Sequence, residues 1–457
     1  MLSELYSKWM FSWETALTTR DTNRIVRPLE WGFDWLGEFG EPVLAAVGME
    51  ADAQPAGAAS SAGAVSSNGT AISASAATSA DEGASGSGAE GLEQMIAANQ
   101  AIVERADEFF GYERPTDFRL ERRYPQLFPT NVRPETLEQD AELKRKAAAG
   151  ELEEAEFLRF TSAVRTCHPE NDLVNARWYP APAEKQKGRP KQAIIVMPQW
   201  NADAFSHNAL CTLFNRFGIS ALRLSKPYHD IRRPAELERS DYAVSANIGR
   251  TTAACRQAVV DIRSCLDWLQ SQGYEQFGVL GTSLGSCYAF LASAHDKRIR
   301  VNTFNHASTA FGDVVWAGQS TRHIRKALEE AGLSQPRIRA LYSAISPVSY
   351  YERMASDEAD GRRKKILLVY ATYDLTFPRE YSLQVVDAFT RVGLNFEKRV
   401  LPCGHYTTGE TPFQYIDGWH MGSFVYRAFK ALRQERANAP SSKIDQPIEA
   451  EQDLVSR

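Results

Sequence analysis

From residue 192 to residue 433 short apolar runs alternate with longer helix-like stretches, and this alternation constrains the fold of the 457-residue chain more than any other feature. Strand-like runs recur at 219–224, 277–281, 301–305, 366–371 and 396–401, and the first run, 192–197 (QAIIVM), is short, apolar and rich in β-branched residues. That is the pattern of strands buried on both faces. Between them, 204–217, 250–272, 284–294, 379–392 and 415–433 have the length and spacing of helices. Strands alternating with helices predict βαβ units, hence a parallel sheet covered on both sides. Two earlier strands, 157–164 and 174–179, predict an antiparallel edge, for eight strands in all. Residues 309–352 break the alternation with an amphipathic helix near 320–331 and no strand. An insertion at that point overhangs the edge where open α/β sheets bind ligands, so it reads as a helical lid.

The rest of the chain divides by composition. Residues 1–50 are rich in aromatic residues (Trp9, Phe11, Trp13, Trp31, Phe33, Trp35) and too short to form a core alone. The segment should dock on the main domain or on a second copy, with an interfacial membrane contact as the sharper alternative. Residues 51–91 are Ala/Ser/Gly-rich and read as a disordered linker. Residues 92–155 read as a helical segment (93–113 and 135–155), 156–436 as the α/β domain, and 437–457 as a flexible tail. The net charge of −5 gives no reason to expect nucleic acid as a partner. No apolar run is long enough for a transmembrane span, and the charged N-terminus lacks a signal-peptide core. Six cysteines without a C-x-x-C pair fit reduced thiols in the cytoplasm and argue against structural zinc.

Chemistry concentrates at three strand ends. Residues 281–285 read Gly-Thr-Ser-Leu-Gly, directly after an apolar strand and directly before an apolar helix. A serine on such a tight turn needs small residues two before and two after it, and Gly281 and Gly285 meet that need. The turn lifts the Ser283 hydroxyl above the sheet edge, next to a helix N-terminus that favours negative charge. A hydroxyl nucleophile requires a base. Among histidines after Ser283, His405 in LPCGHYTTGE is the one in a loop directly after a strand. Asp374, in ATYDLTFP after the preceding strand, can orient the imidazole. The C-terminal ends of parallel strands share one edge, so the three side chains can converge there.

The elbow GTSLG, the turn Asp374–Pro378 and the pair Gly404–His405 resemble the α/β-hydrolase superfamily, in particular serine hydrolases similar to dienelactone hydrolases and prolyl-oligopeptidase-like enzymes. The resemblance covers about 156–433. It implies Ser283 as nucleophile, His405 as base, Asp374 as orienter, and an oxyanion hole built from the Leu284 amide and an amide after the third strand. Many relatives end that strand with His-Gly, whereas this chain has Met197-Pro198-Gln199-Trp200-Asn201. Pro198 has no N–H. The Trp200 amide takes the donor position, with Gln199 and Asn201 as alternatives. Tyr228, His229 and Trp316 are expected in the substrate pocket, and neither metal nor cofactor is expected. The expected function is hydrolysis of a small-molecule ester or thioester through an acyl-enzyme. The competing expectation is a non-catalytic interaction protein on a hydrolase scaffold.

Overall fold

A computed structural model describes residues 2–41, 83–359 and 361–438. One sheet of nine strands runs through it in the order β1-β2-β3-β5-β4-β6-β7-β8-β9. In chain order these are β1 (Arg119–Arg123), β2 (Ala155–Thr161), β3 (Leu173–Tyr179), β4 (Lys191–Met197), β5 (Ile219–Leu224), β6 (Tyr274–Thr282), β7 (Ile299–Asn305), β8 (Lys365–Ala371) and β9 (Phe396–Leu401). The pairings β1–β2, β2–β3 and β3–β5 are antiparallel, and all pairings from β5 to β9 are parallel. The extra strand relative to the sequence expectation is β1, RLERR. Its largely exposed charged residues lack an apolar alternation, and charge on an edge strand discourages pairing with other chains.

Burial explains the middle of the sheet. β5 is buried along its whole length and β4 from Gln192 onward. Successive β4 side chains serve two cores. Ala193, Ile195 and Met197 pack with the long helix Ile248–Ser271, while Ile194 and Val196 pack with Asn208–Arg216 and Phe413–Asn438. This is the two-residue period of a strand covered by helices on both faces.

The helices used below are α1 (Leu2–Thr18), α2 (Gly83–Glu104), α3 (Pro134–Ala148), α4 (Asn208–Arg216), α5 (Ile248–Ser271) and α6 (Leu284–His295). Between β7 and β8 lie α7 (Phe311–Ala317), α8 (Arg322–Glu330), α9 (Gln335–Leu341) and α10 (Tyr351–Ala359), and the chain continues through α11 (Arg379–Arg391) and α12 (Phe413–Asn438). The strand-free insertion expected at 309–352 is therefore a helical one.

The N-terminal segment lies against the sheet's own helices and loops. Met10 of α1 is fully buried among Leu401, Cys403 and Phe413, and Trp13 packs against the Phe413 ring. Further on, Glu30 N–H donates to the Ala246 carbonyl and Ile248 N–H returns to Glu30. A Cβ at Gly249 would lie 1.7 Å from the Gly32 carbonyl oxygen, so the two backbones meet in contact. α2 begins at Gly83, so the last nine residues of the expected linker, 83–91, are helical. Four glycines give that stretch little helix propensity of its own, and its end is held by packing, with Trp31 against Gly91. The remainder of the expected linker and nearly all of the expected tail lie outside the described residues. No helix among the described residues is long and apolar enough to cross a membrane.

Candidate active site

Ser283 sits between β6 and α6 with φ 57° and ψ −120°. A non-glycine residue with positive φ is strained, and the surroundings must hold it there. They do so through two bonds and two glycines. Ser283 N–H donates to the Asn305 carbonyl at 2.8 Å, and its own carbonyl accepts Ser286 N–H at 2.8 Å. A Cβ on Gly281 would lie 2.1 Å from the Gly285 carbonyl oxygen, and one on Gly285 would lie 2.1 Å from that of Met197. The small residues expected at the elbow are thus required by backbone contact.

The three strand ends bring their side chains together. His405 Nε2 lies 3.1 Å from Ser283 Oγ, and His405 Nδ1 lies 2.9 Å from Asp374 Oδ2. Asp374 Oδ1 accepts the Thr376 N–H at 2.8 Å and the Phe377 N–H at 2.6 Å, which fixes the carboxylate's rotation. The Phe377 ring stacks on His405 with an interplanar angle of 1°.

A second histidine shares the same carboxylate oxygen. His306 Nδ1 lies 2.9 Å from Asp374 Oδ2, and its ring centroid is 4.5 Å from that of His405. The two imidazoles respond in opposite directions. Burial lowers the His306 pKa, the neighbouring His405 lowers it further, and Asp374 offsets only part of this. For His405 burial also opposes the charge, but Asp374 and Glu14 outweigh it and raise the pKa. Burial alone would raise the Asp374 pKa. The charge of His405 and the hydrogen bonds from both histidines reverse this and hold it below the usual carboxylate range. The two imidazoles sharing Asp374 thus differ, His405 favouring and His306 disfavouring the charged form. His306, Asp374 and His405 are also the described residues whose donor atoms cluster closely enough to bind an ion. Their carboxylate-facing nitrogens are engaged in the hydrogen bonds just given.

The floor of the site holds a further buried acid. Asn305 Nδ2 donates to Asp417 Oδ2 at 2.8 Å, and burial pushes the Asp417 pKa up to about 7. Nothing in the local sequence of α12 marks Asp417, because its role depends on lying under Asn305.

The loop after β4 is held by side chains from the loop after β5. Asn201 N–H donates to His229 Nε2 at 3.2 Å, so this amide is occupied. Lys226 Nζ donates to the Gln199 carbonyl at 3.0 Å. In a planar trans peptide the Gln199 carbonyl and the Trp200 N–H point to opposite sides, so holding one aims the other. Among the described residues neither the Trp200 N–H nor the Leu284 N–H has an acceptor.

Beside Ser283 lies a cleft of about 520 Å³, walled by apolar side chains including Trp200, Leu284, Phe311, Val314, Val315 and Phe377. The expected pocket residues lie elsewhere. Tyr228 is buried against the rings of His168 and Tyr242, and His229 spends both ring nitrogens on Pro227 and Asn201. Both belong to a packed loop that backs the Trp200 segment. Trp316 packs against the core with the Arg325 guanidinium over its ring, while its neighbours Val314 and Val315 line the cleft. On a helix adjacent residues face about 100° apart, so a wall at 314 and 315 leaves 316 pointing away. His207 Nε2 lies 2.9 Å from Thr282 Oγ1.

A family model described as "Alpha/beta hydrolase domain containing 18" matches residues 176–363. No curated protein matches the sequence. Among solved structures, acetyl xylan esterase 1 from Thermoanaerobacterium sp. JW/SL YS485 is similar at 14% identity and TM-score 0.49, covering 72% of this chain and 93% of that one. Acetyl xylan esterase from Paenibacillus sp. R4 is similar at 12% identity and TM-score 0.46, covering 73% and 93%. Acylaminoacyl peptidase from Pyrococcus horikoshii is similar at 14% identity and TM-score 0.45 over 60% of this chain, which spans only 41% of the peptidase. At these identities the likeness is one of shape.

Proposed function

We propose that the chain is a serine hydrolase of the α/β-hydrolase superfamily, cleaving a carboxylic ester or thioester through an acyl-enzyme. One observation carries this reading: the unbroken contact from Ser283 Oγ to His405 at 3.1 Å and from His405 to Asp374 at 2.9 Å. In the proposed reaction Ser283 Oγ attacks the acyl carbon while His405 Nε2 takes its proton. Asp374, fixed by two backbone amides, holds the imidazole with Nδ1 protonated and stabilises the imidazolium. The oxyanion is received by the Leu284 and Trp200 amides. His405 returns the proton to the leaving oxygen or sulfur. A water then attacks the acyl-enzyme by the same route in reverse.

The cleft supports an apolar acyl group, because its walls carry hydroxyl and thiol groups but no charged side chain. No step of this chemistry calls for a cofactor. The buried free thiols at Cys211, Cys255, Cys265 and Cys403 fit a reducing compartment, and we place the protein in the cytoplasm on that ground. Hydrolysis of a chain-length series of p-nitrophenyl esters tests the reading. Turnover by the wild type, lost in a folded Ser283→Ala variant, is expected. Equal turnover by the two would refute it.

A further inference from the structure

His405 stands on a loop, and a catalytic loop must be held to a few tenths of an ångström to keep its base productive. The holder here comes from the far end of the chain. Glu14 of α1 is fully buried, and its Oε1 accepts the Tyr406 N–H at 2.8 Å across 392 positions of sequence. Its Oε2 accepts the Thr407 N–H at 3.0 Å and the Thr407 hydroxyl at 3.1 Å. The carboxylate thus binds the two amides directly after His405. On the other side of the histidine, a Cβ at Gly404 would lie 2.4 Å from Glu14 Oε2. The carboxylate therefore touches the loop on both flanks of the base.

No lysine or arginine pairs with Glu14 among the described residues, and burial raises its pKa. The hydrogen bonds from the Tyr406 and Thr407 amides, and the charge of His405 itself, offset part of the cost of burying the carboxylate. Docking α1 did not require this arrangement. Met10, Trp13 and the Tyr6 hydroxyl, which donates to the Pro402 carbonyl, already seat the helix by apolar contact and one peripheral bond. We propose that Glu14 is a positioning residue, whose carboxylate fixes the loop bearing the catalytic base and makes the N-terminal helix part of the working enzyme. This rests on the reading of His405 as the base.

A second effect accompanies the first. The ionisable groups facing His405 are Asp374 after β8, His306 after β7 and Glu14 on α1, with Cys403 and Tyr406 on its own loop. Of these, Asp374 and Glu14 are the groups that favour the imidazolium. Loss of the Glu14 charge lowers the His405 pKa, so the acid limb of kcat/KM moves to lower pH.

The test uses the full chain with Glu14→Gln and Glu14→Asp, each compared with the wild type on p-nitrophenyl acetate well below its melting temperature. Glu14→Gln turns an amide NH₂ toward a backbone N–H. It should lower kcat at least about tenfold with KM changed less than about twofold, and should shift the acid limb downward. Glu14→Asp keeps the charge but cannot reach both amides, so it should lower kcat with a smaller shift of the limb. If Glu14→Gln does not fold, Glu14→Asp carries the test through its kcat. A purely structural role predicts a lower melting temperature with unchanged kcat and an unmoved limb in both variants, and that result overturns the proposal. Fluorophosphonate labelling of wild-type Ser283 is measured alongside. If the folded wild type does not label, the hydrolase reading itself falls, and this proposal with it. Labelling with wild-type kcat in both variants removes the Glu14 role alone.

Discussion

Ser283, Asp374 and His405 could be read from sequence as a set because each follows a strand, and the ends of parallel strands share an edge. The structure places them in hydrogen-bond contact. The residues around them were not legible in the same way. His306 follows β7, and only the fold shows that it bonds the carboxylate oxygen that His405 uses. Asp417 and Glu14 act only through neighbours distant in sequence, and no spacing rule reports such neighbours. Asp417 gives a prediction with a definite sign. Burial raises its pKa from the usual carboxylate range to about 7, so the folded protein keeps a proton that the unfolded chain releases. Stability from this group is present at low pH and declines as pH rises toward about 7, by at most about 4 kcal/mol. Asp417→Asn removes the titration. The variant's melting temperature relative to wild type should therefore be higher at about pH 8 than at about pH 5. A constant difference across that range would mean that Asp417 does not titrate there.

At the scale of elements, β4, β5, β6 and β8 were legible as apolar runs bounded by turns, while β7 (IRVNTFN) and β9 (FEKRVL) carry polar or charged residues and were legible from their place in the alternation. β1 was not, because an exposed edge strand carries charge where a buried one carries valine and isoleucine. The loop after β4 shows the same limit. Its sequence, PQWN, names three candidate amides, and only the side chains of the loop after β5 distinguish them. His229 occupies the Asn201 amide, and Lys226 holds the peptide that aims the Trp200 N–H. Lys226→Met should therefore lower kcat toward the roughly 10²–10³-fold loss typical of a missing oxyanion donor, with little change in KM. Affinity for a trifluoromethyl ketone should fall in parallel. Unchanged kcat would remove Trp200 from the oxyanion site. The insertion between β7 and β8 divides its residues between two tasks. Val314 lines the cleft, so Val314→Trp should reduce kcat/KM on long acyl esters far more than on acetyl esters. Trp316 packs against the core, so Trp316→Ala should lower the melting temperature and weaken all esters alike. The reverse assignment of these two patterns in a chain-length series would put Trp316 in the cleft.

On the scale of the whole molecule, the chain closes a loop from its N-terminus to its catalytic edge. α1 reaches the His405 loop through Glu14, while Arg24 holds the Thr18 carbonyl at 2.7 Å and the Ser320 carbonyl at 2.8 Å. Ser320 lines the cleft, so one N-terminal segment touches both the His405 loop and the wall of the cleft. Composition could say that residues 1–50 would dock, since their aromatic residues need cover. It could not say where, because docking depends on shape at a surface made by β9 and α12. All of these parts matter to function only if the serine is reactive, and that is open to direct measurement. Wild-type protein, Ser283→Ala and His405→Ala, each confirmed as folded, are exposed to a fluorophosphonate and the adduct is located by peptide mass spectrometry. A single stoichiometric adduct on Ser283, absent from Ser283→Ala and slowed by orders of magnitude in His405→Ala, is the expected result. A folded wild type that forms no adduct, or forms it on another residue, would contradict the assignment of this fold as a serine hydrolase.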